Sequence, residues 1–499
     1  LDSGDGRYSA EPDARQDTRH NTLGRFALFG MHPRQSCRYF SDGSLESGGK
    51  SFACSPYQSL EYLETLTAPY ASLEQQFTPD ACPIPFQAGL VGAFSYEFGY
   101  YLQPYFGGDV RENCSARKLL WEFSVYPAAL VADLKEGQLY FTGMPDAQAL
   151  LREKVSQAQR QLDRGPVPLS LDTVSWKKVS WKLEPQYRFD GYQQDFAKVK
   201  DYLRQGEIYQ LNLSQRLQLT GARSEKDGEA ACMRDLYLRL RRRHPVPFGG
   251  FLHLADGQQV LSFSPERFFC LAKEFPDKSS GPRKSSGPHK SSGPHKSIIQ
   301  VRPMKGTRAR SSQAEQDQKA HDELCHSLKE RSELLMIGDL LRNDLYHICW
   351  PESVRVLASA AESYPFRIEK YPSVWQQTAV IEGELQAEFC VPGSKFLGKL
   401  WQALFPCGSI TGAPKMRAME LIRELEPLPR HWYTGNMGYI NGDGTMEFNV
   451  LIRTFYSTEQ GRLHYHVGGG LVWDSQPGAE WLELEAKCRF FLEALGLHW

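Results

Sequence analysis

Lys305 lies in the segment V-R-P-M-K-G-T-R-A-R, bracketed by Pro303 and Gly306 and close in sequence to Arg302, Arg308 and Arg310. Proline and glycine at those positions predict a turn or strand end with a restricted backbone. Cationic neighbours and partial burial both lower a lysine pKa, and a neutral amine is a nucleophile or a base. For this stretch alone the competing reading is a solvated basic loop. Glu330 and Glu333 follow in K-E-R-S-E-L-L-M-I-G-D, spaced to share one face of a helix. The same spacing returns in S-Q-P-G-A-E-W-L-E-L-E, where Ser475 suits a helix cap, Pro477 its first turn, and Glu480 and Glu483 share a face. An isolated E-x-x-E pair is usually a solvated face. Two helices with two carboxylates each predict an oxygen-ligand site for Mg2+, which keeps positions free for water or substrate. Together, a lysine amine and paired carboxylates suit an anionic substrate handled through a metal ion.

Further polar groups stand where a fold needs none. Gly408, Ser409, Thr411 and Gly412 in F-P-C-G-S-I-T-G-A-P-K form a polar, glycine-rich turn opening a helix, an arrangement that presents backbone N–H groups to anions. Gly468, Gly469 and Gly470 interrupt a strand pattern, L-H-Y-H-V-G-G-G-L-V, which predicts close approach of a ligand. Arg453 lies on an otherwise apolar strand and needs a partner if buried; a carboxylate ligand is one candidate.

The elements that must position these groups follow from periodicity. Leu324, Leu328, Leu334, Leu335, Ile337 and Leu341 predict one helix from about Gln318 to Leu341. Tyr192 to Arg204 reads as an amphipathic helix closed by Gly206, and Tyr209 to Leu219 as an alternating strand. Residues 1–175 read as a strand-rich N-terminal region, with strands at Arg25–Gly30, Leu90–Glu97, Phe123–Leu134 and Gln138–Gly143 and a polar helix after Asp146. A Pro-containing linker from Arg164 to Ser180 leads into a second region, 176–499, that holds the candidate site. Within it, residues 278–297 repeat the hexad K-S-S-G-P-x, too rich in Ser, Gly and Pro to build a core, and read as a flexible insertion.

Composition excludes several function classes. The 499 residues are 41% hydrophobic and 12% aromatic with a net charge of −1, which suits a large globular core and favours neither nucleic acid nor an anionic membrane. No apolar run approaches the length of a membrane-spanning helix. The opening L-D-S-G-D-G-R-Y-S-A has neither the basic nor the apolar part of a signal peptide. The 11 cysteines never form C-x-x-C, the usage expected of free thiols in a reducing cytoplasm.

The stretches P-M-K-G-T, S-P-E-R-F, K-E-R-S-E-L-L-M-I-G-D-L-L-R-N-D, F-P-C-G-S-I-T-G-A-P-K-M-R-A-M-E and V-G-G-G-L-V-W-D-S-Q, with P-F-Q-A-G-L-V-G-A-F-S-Y-E-F-G and G-E-I-Y-Q-L-N-L-S-Q-R, resemble the chorismate-utilising enzymes in content and order. That resemblance spans roughly residues 85–490. It implies a single large α/β (α+β) fold, a two-sheet β-sandwich with helices outside and the active site between the sheets. Lysine in P-M-K-G-T resembles the aminodeoxychorismate synthase branch (component I); anthranilate synthases carry alanine at that position. Isochorismate and salicylate synthases carry a water-activating lysine where this chain has Gln210, so ammonia is the implied nucleophile.

The resemblance implies that Mg2+, held by Glu333 and Glu483 with Glu330 and Glu480 alongside, binds the ring carboxylate of chorismate. Lys305 attacks C2, the C4 hydroxyl departs, and ammonia attacks C4 to release the lysine and 4-amino-4-deoxychorismate, the precursor of 4-aminobenzoate and folate. Tyr433, Arg453 and Gly468–Gly470 are implied to hold the enolpyruvyl side, and Ser409 and Thr411 the ring. The chain departs from the family at Gln376, where many relatives carry a histidine able to protonate the leaving hydroxyl. No cysteine lies in the G-x-C-x-G turn of a glutaminase, so a separate glutamine amidotransferase subunit is implied as the ammonia source. The L-D-S-G opening resembles a tryptophan-binding segment, with Ser3 its candidate contact. Anthranilate synthase component I and a non-catalytic chorismate-binding scaffold are the alternatives.

Overall fold

The computed structural model describes residues 24–30, 32–79, 82–106, 117–163, 180–186, 188–222, 229–274, 296–357, 366–371, 374–389, 395–457 and 462–497. Ser3, and with it the tryptophan contact, lies outside the described residues, as does the hexad repeat up to residue 295. The strands that the repeat joins, Arg267–Glu274 and Lys296–Val301, pair antiparallel, so the insertion connects two neighbours of one sheet.

Two antiparallel sheets, of seven and eleven strands, dominate the molecule, with two three-stranded sheets beside them and ten α-helices among the described residues. This is the expected two-sheet α+β architecture. The boundary expected near residue 175 does not part the sheets. Gly89–Phe94, from the N-terminal region, pairs with Asn436–Asn441 in the eleven-stranded sheet. A core aromatic contact crosses the same boundary: Phe94 lies 4.7 Å from Trp401, ring centre to ring centre. Burying a side chain of that size contributes roughly 2–3 kcal/mol.

Strand Gln210–Ala222 shows how the sequence builds a site wall. Leu211, Leu213, Leu217 and Leu219 are fully buried on one face, as period-two alternation requires. Gln210, Asn212 and Ser214, on the other face, are buried too, although polar. The leucine face is broken once, by the buried Gln215, and the polar face is covered, which marks an internal polar space.

Three local expectations change. Phe123–Leu134 is two strands, Leu119–Tyr126 and Ala128–Asp133, because Pro127 lacks the N–H needed to continue the ladder. The helix expected over 318–341 is two, Ala314–His326 and Leu328–Tyr346. Ser327 separates them and its hydroxyl accepts from the Glu330 N–H, capping the second helix and placing Glu330 in its first turn. Ser475 does not cap the last helix, Pro477–Ala494; Gln476 holds that position, and the Ser475 hydroxyl donates to Glu480 instead. The helices are locked by a buried ion pair between Lys415 and Asp344, 2.5 Å apart, with the ammonium also reaching the Leu404 carbonyl.

Candidate active site

Lys305 sits within a strand, Met304–Ala309, rather than in a loop, and pairs with Val374–Thr378 in a small three-stranded sheet. The register slips between Lys305 and Thr307 at Gly306, whose φ of +71° suits glycine. A side chain at Gly306 would also collide with Leu324, 2.7 Å from where its Cβ would lie. Gln376 clamps this bulge: its amide N–H donates to the Gly306 carbonyl at 2.7 Å, and its amide oxygen accepts from the Thr307 hydroxyl at 2.7 Å. Both ends of Gln376 are thus spent on the lysine strand. The arginines do not crowd the lysine as expected. Arg302 is paired with Glu369, Arg308 with Glu330 and Arg310 with Asp317. The charges that feel Lys305 are carboxylates: Glu266, Glu333 and Glu483.

The glycine run forms the opposite wall. Gly468–Gly470 belong to strand Leu463–Leu471, in register with Ser214–Asn212. A methyl on Gly470 would lie 2.7 Å from the Gln210 amide nitrogen and 3.4 Å from the Lys305 amine; one on Gly468 would lie 2.7 Å from the Tyr433 hydroxyl. Gly469 turns toward the last helix, with Glu480 3.4 Å from the same point. Gln210 is completely buried, and neither end of its amide has a hydrogen-bond partner among the described residues. Such a group costs free energy unless a ligand satisfies it.

Glu266, in S-P-E-R-F, is the acid that sequence reasoning left unassigned. It stands where the chain passes from strand Gln259–Ser264 of one sheet to Arg267–Glu274 of the other. Ser409 donates to it at 2.7 Å. Burial raises its carboxyl from 4.5 to about 7, against the pull of Ser409, Lys305, Arg302 and Arg453. A charged residue between apolar strand runs was the available signal. Thr411 is turned inward and donates to the Cys407 carbonyl, so it shapes the turn. Arg453 adopts φ +51° and lies 3.4 Å from His244. Tyr433 stacks on His466 at 5.1 Å and lies near the Arg430 guanidinium, itself paired with Glu426 at 2.7 Å.

The four helix carboxylates meet around lysines. Lys329 lies 4.0 Å from Glu333 and 3.9 Å from Glu480, bridging the two helices; Arg308 holds Glu330 and Lys487 holds Glu483. Among the described residues no three of these acids form a ready metal cluster. Burial raises the Glu333 and Glu480 carboxyls, with neighbouring acids adding to it, whereas Lys487 lowers that of Glu483.

A lysine amine, a protonatable buried acid, an unsatisfied amide and a glycine wall thus come together in the fold. The chain belongs to the chorismate binding enzyme family, whose pattern matches residues 31–275 and 292–493. It is 34% identical to aminodeoxychorismate synthase component 1 of Salmonella typhimurium, over 86% of this chain and 83% of that protein. It is 31% identical to anthranilate synthase component 1 of Cereibacter sphaeroides, over 93% and 85%. The anthranilate synthase component I structure from Streptococcus pneumoniae shares the fold, with a TM-score of 0.68, 23% identity and 95% coverage of both chains.

The glycine geometry predicts a graded series. Gly469→Ala leaves activity near wild type, Gly470→Ala removes most activity while the melting temperature holds, and Gly468→Ala lowers both; steady-state kinetics and thermal melts check this. Gln376→Ala lowers kcat about tenfold or more by loosening the lysine strand, with KM little changed, and Gln376→Glu, which keeps only the acceptor, recovers part of it. Equal falls in kcat for both variants would contradict the clamp. Glu97, Glu122 and Glu266 all titrate near 7 in the fold. The folded state therefore holds protons that the unfolded chain releases, and stability falls as pH rises from the ordinary carboxyl value to about 7. Glu266→Gln flattens that slope and gains roughly 2–3 kcal/mol at about pH 8 over about pH 5, read by urea unfolding.

Proposed function

We propose that this protein converts chorismate and ammonia to 4-amino-4-deoxychorismate, as component I of an aminodeoxychorismate synthase. The observation that carries the reading is the Lys305 amine set against Gly470 beside a neutral, unsatisfied Gln210. An amine there can form a covalent bond to the ring, while an amide cannot activate water. The deprotonated Lys305 attacks C2 of the ring, the double bond shifts, and the C4–O bond breaks. Glu266, protonated near neutral pH, supplies the proton that lets the hydroxyl leave as water. Ammonia then attacks C4, the double bond shifts back, and the C2–N bond to Lys305 breaks, restoring the amine. Gln376 keeps the lysine aimed through both displacements.

The carboxylates Glu330, Glu333, Glu480 and Glu483 would hold Mg2+, with Lys329 displaced from between Glu333 and Glu480. Burial and like charge already raise two of these carboxyls, and a cation relieves that cost. When bound, the metal would anchor the substrate carboxylate and draw electron density from the ring. Ammonia would come from a separate glutamine amidotransferase subunit. The eight cysteines among the described residues are free thiols, in keeping with a cytoplasmic site of action, and no helix there is long and apolar enough to cross a membrane.

The test is product identification by mass spectrometry after incubation with chorismate, magnesium and an ammonium salt at alkaline pH. The expected product keeps its enolpyruvyl ether and gains an amine, and Lys305→Ala abolishes it. Anthranilate with pyruvate, or turnover that survives Lys305→Ala, overturns the reading.

A further inference from the structure

A second concavity, of about 470 Å³, lies behind the Tyr433 wall of the site. It is distinct from the lysine site and shares one element with it, Arg430. That guanidinium faces the Tyr96 ring at 4.7 Å on the concavity side and the Tyr433 ring at 5.7 Å on the other. The remaining walls are largely apolar: Tyr100, Tyr101, Leu120, Ile422 and Leu428 contribute rings and branched carbons. A volume of this order is that of a small-molecule site rather than a packing defect.

Five charged side chains line it: Lys118, Arg423, Arg430, Glu97 and Glu426. The Lys118 ammonium makes no ion pair or hydrogen bond among the described residues, although its backbone is fixed to Ser41 in both directions. Tyr96 is 1% exposed; its ring lines the space, while its hydroxyl is shut off from it and lies beside that of Tyr100. The neighbouring Tyr100 hydroxyl donates to the Met419 carbonyl. The acids of the lining are spent elsewhere: Glu426 on Arg430 and Ser214, and Glu97 on the backbone N–H groups of Arg430 and His431. Of the three cations in the lining, Arg430 is paired with Glu426 and Arg423 lies over the Tyr100 and Phe106 rings, which leaves Lys118 to a ligand whose remainder is apolar and flat enough for aromatic walls. Inorganic phosphate would leave those walls uncovered, and a neutral ring would leave Lys118 unanswered.

We propose that this cavity is a binding site for a small aromatic carboxylate of one or two rings, its carboxylate on Lys118 and its ring between Tyr100 and Leu428. Arg430 also donates to the Asn212 and Ile410 carbonyls. A ligand against Tyr96 thus touches the group that holds one wall of the lysine site.

Saturation-transfer NMR titrations of benzoate, naphthoate and benzamide on the full chain test this. Benzoate and naphthoate bind, and benzamide binds about tenfold more weakly, the worth of one charge-assisted contact. Lys118→Gln weakens benzoate by a similar factor with unchanged circular dichroism and melting temperature, Lys118→Arg restores it, and Lys305→Ala leaves it intact. Affinity unchanged in Lys118→Gln, binding lost in Lys305→Ala, equal affinity for benzamide, or no binding by either carboxylate overturns the proposal.

Discussion

The Arg430–Glu426 pair is the constraint on which the rest of the site depends. Arg430 is buried, and its guanidinium donates to both Glu426 oxygens and to the carbonyls of Ile410 and Asn212. Glu426 in turn accepts from the backbone and hydroxyl of Ser214. One ion pair therefore ties the end of helix Lys415–Leu425 to the polar turn at Gly408–Ile410 and to the strand that carries Gln210. Removing two charges from water is costly, and such a pair is tolerated only when nearly every donor and acceptor is satisfied. Here nearly all are. The pair adds little net stability, but breaking one partner would leave a buried charge, so the geometry has no cheap alternative.

The lysine strand is held differently, by neutral groups. Gln376 uses an amide to grip a glycine bulge, and Gly306 is required by backbone angle and by the lack of space beside it. A neutral clamp holds Lys305 without adding a charge beside its amine. The neighbouring arginines, each paired with a carboxylate, keep to the same plan.

The acids carry the cost of the arrangement. Glu266 is buried between two sheets with one serine donor and distant cations, and its carboxyl rises to about 7. Such a carboxyl keeps its proton near neutral pH, and its ionisation at higher pH is unfavourable for stability. Burial also raises the Glu333 and Glu480 carboxyls, with Lys329 between them. The large sheets and their aromatic core supply the stability that such a site consumes.

Residue types, spacing and order in the sequence were enough to find the lysine, the two carboxylate pairs, the glycine run and the two-sheet α+β class, because period-two and helical patterns report which faces must be covered. They also found Gln210, through its place in a motif. Contacts between distant segments were not legible. That Gln376 grips the lysine strand and that Glu266 accepts from Ser409 depend on segments up to 143 residues apart, while Ser475, which serves Glu480 rather than a helix end, acts over only 5 residues. The split of the helix at Ser327 was missed because its apolar spacing runs on unbroken through the cap. The sequence by itself determined which chemistry was available and which strands had to be buried. Only the tertiary structure decided which charges face one another, since a side chain's role is set by burial and by partners that no local pattern encodes.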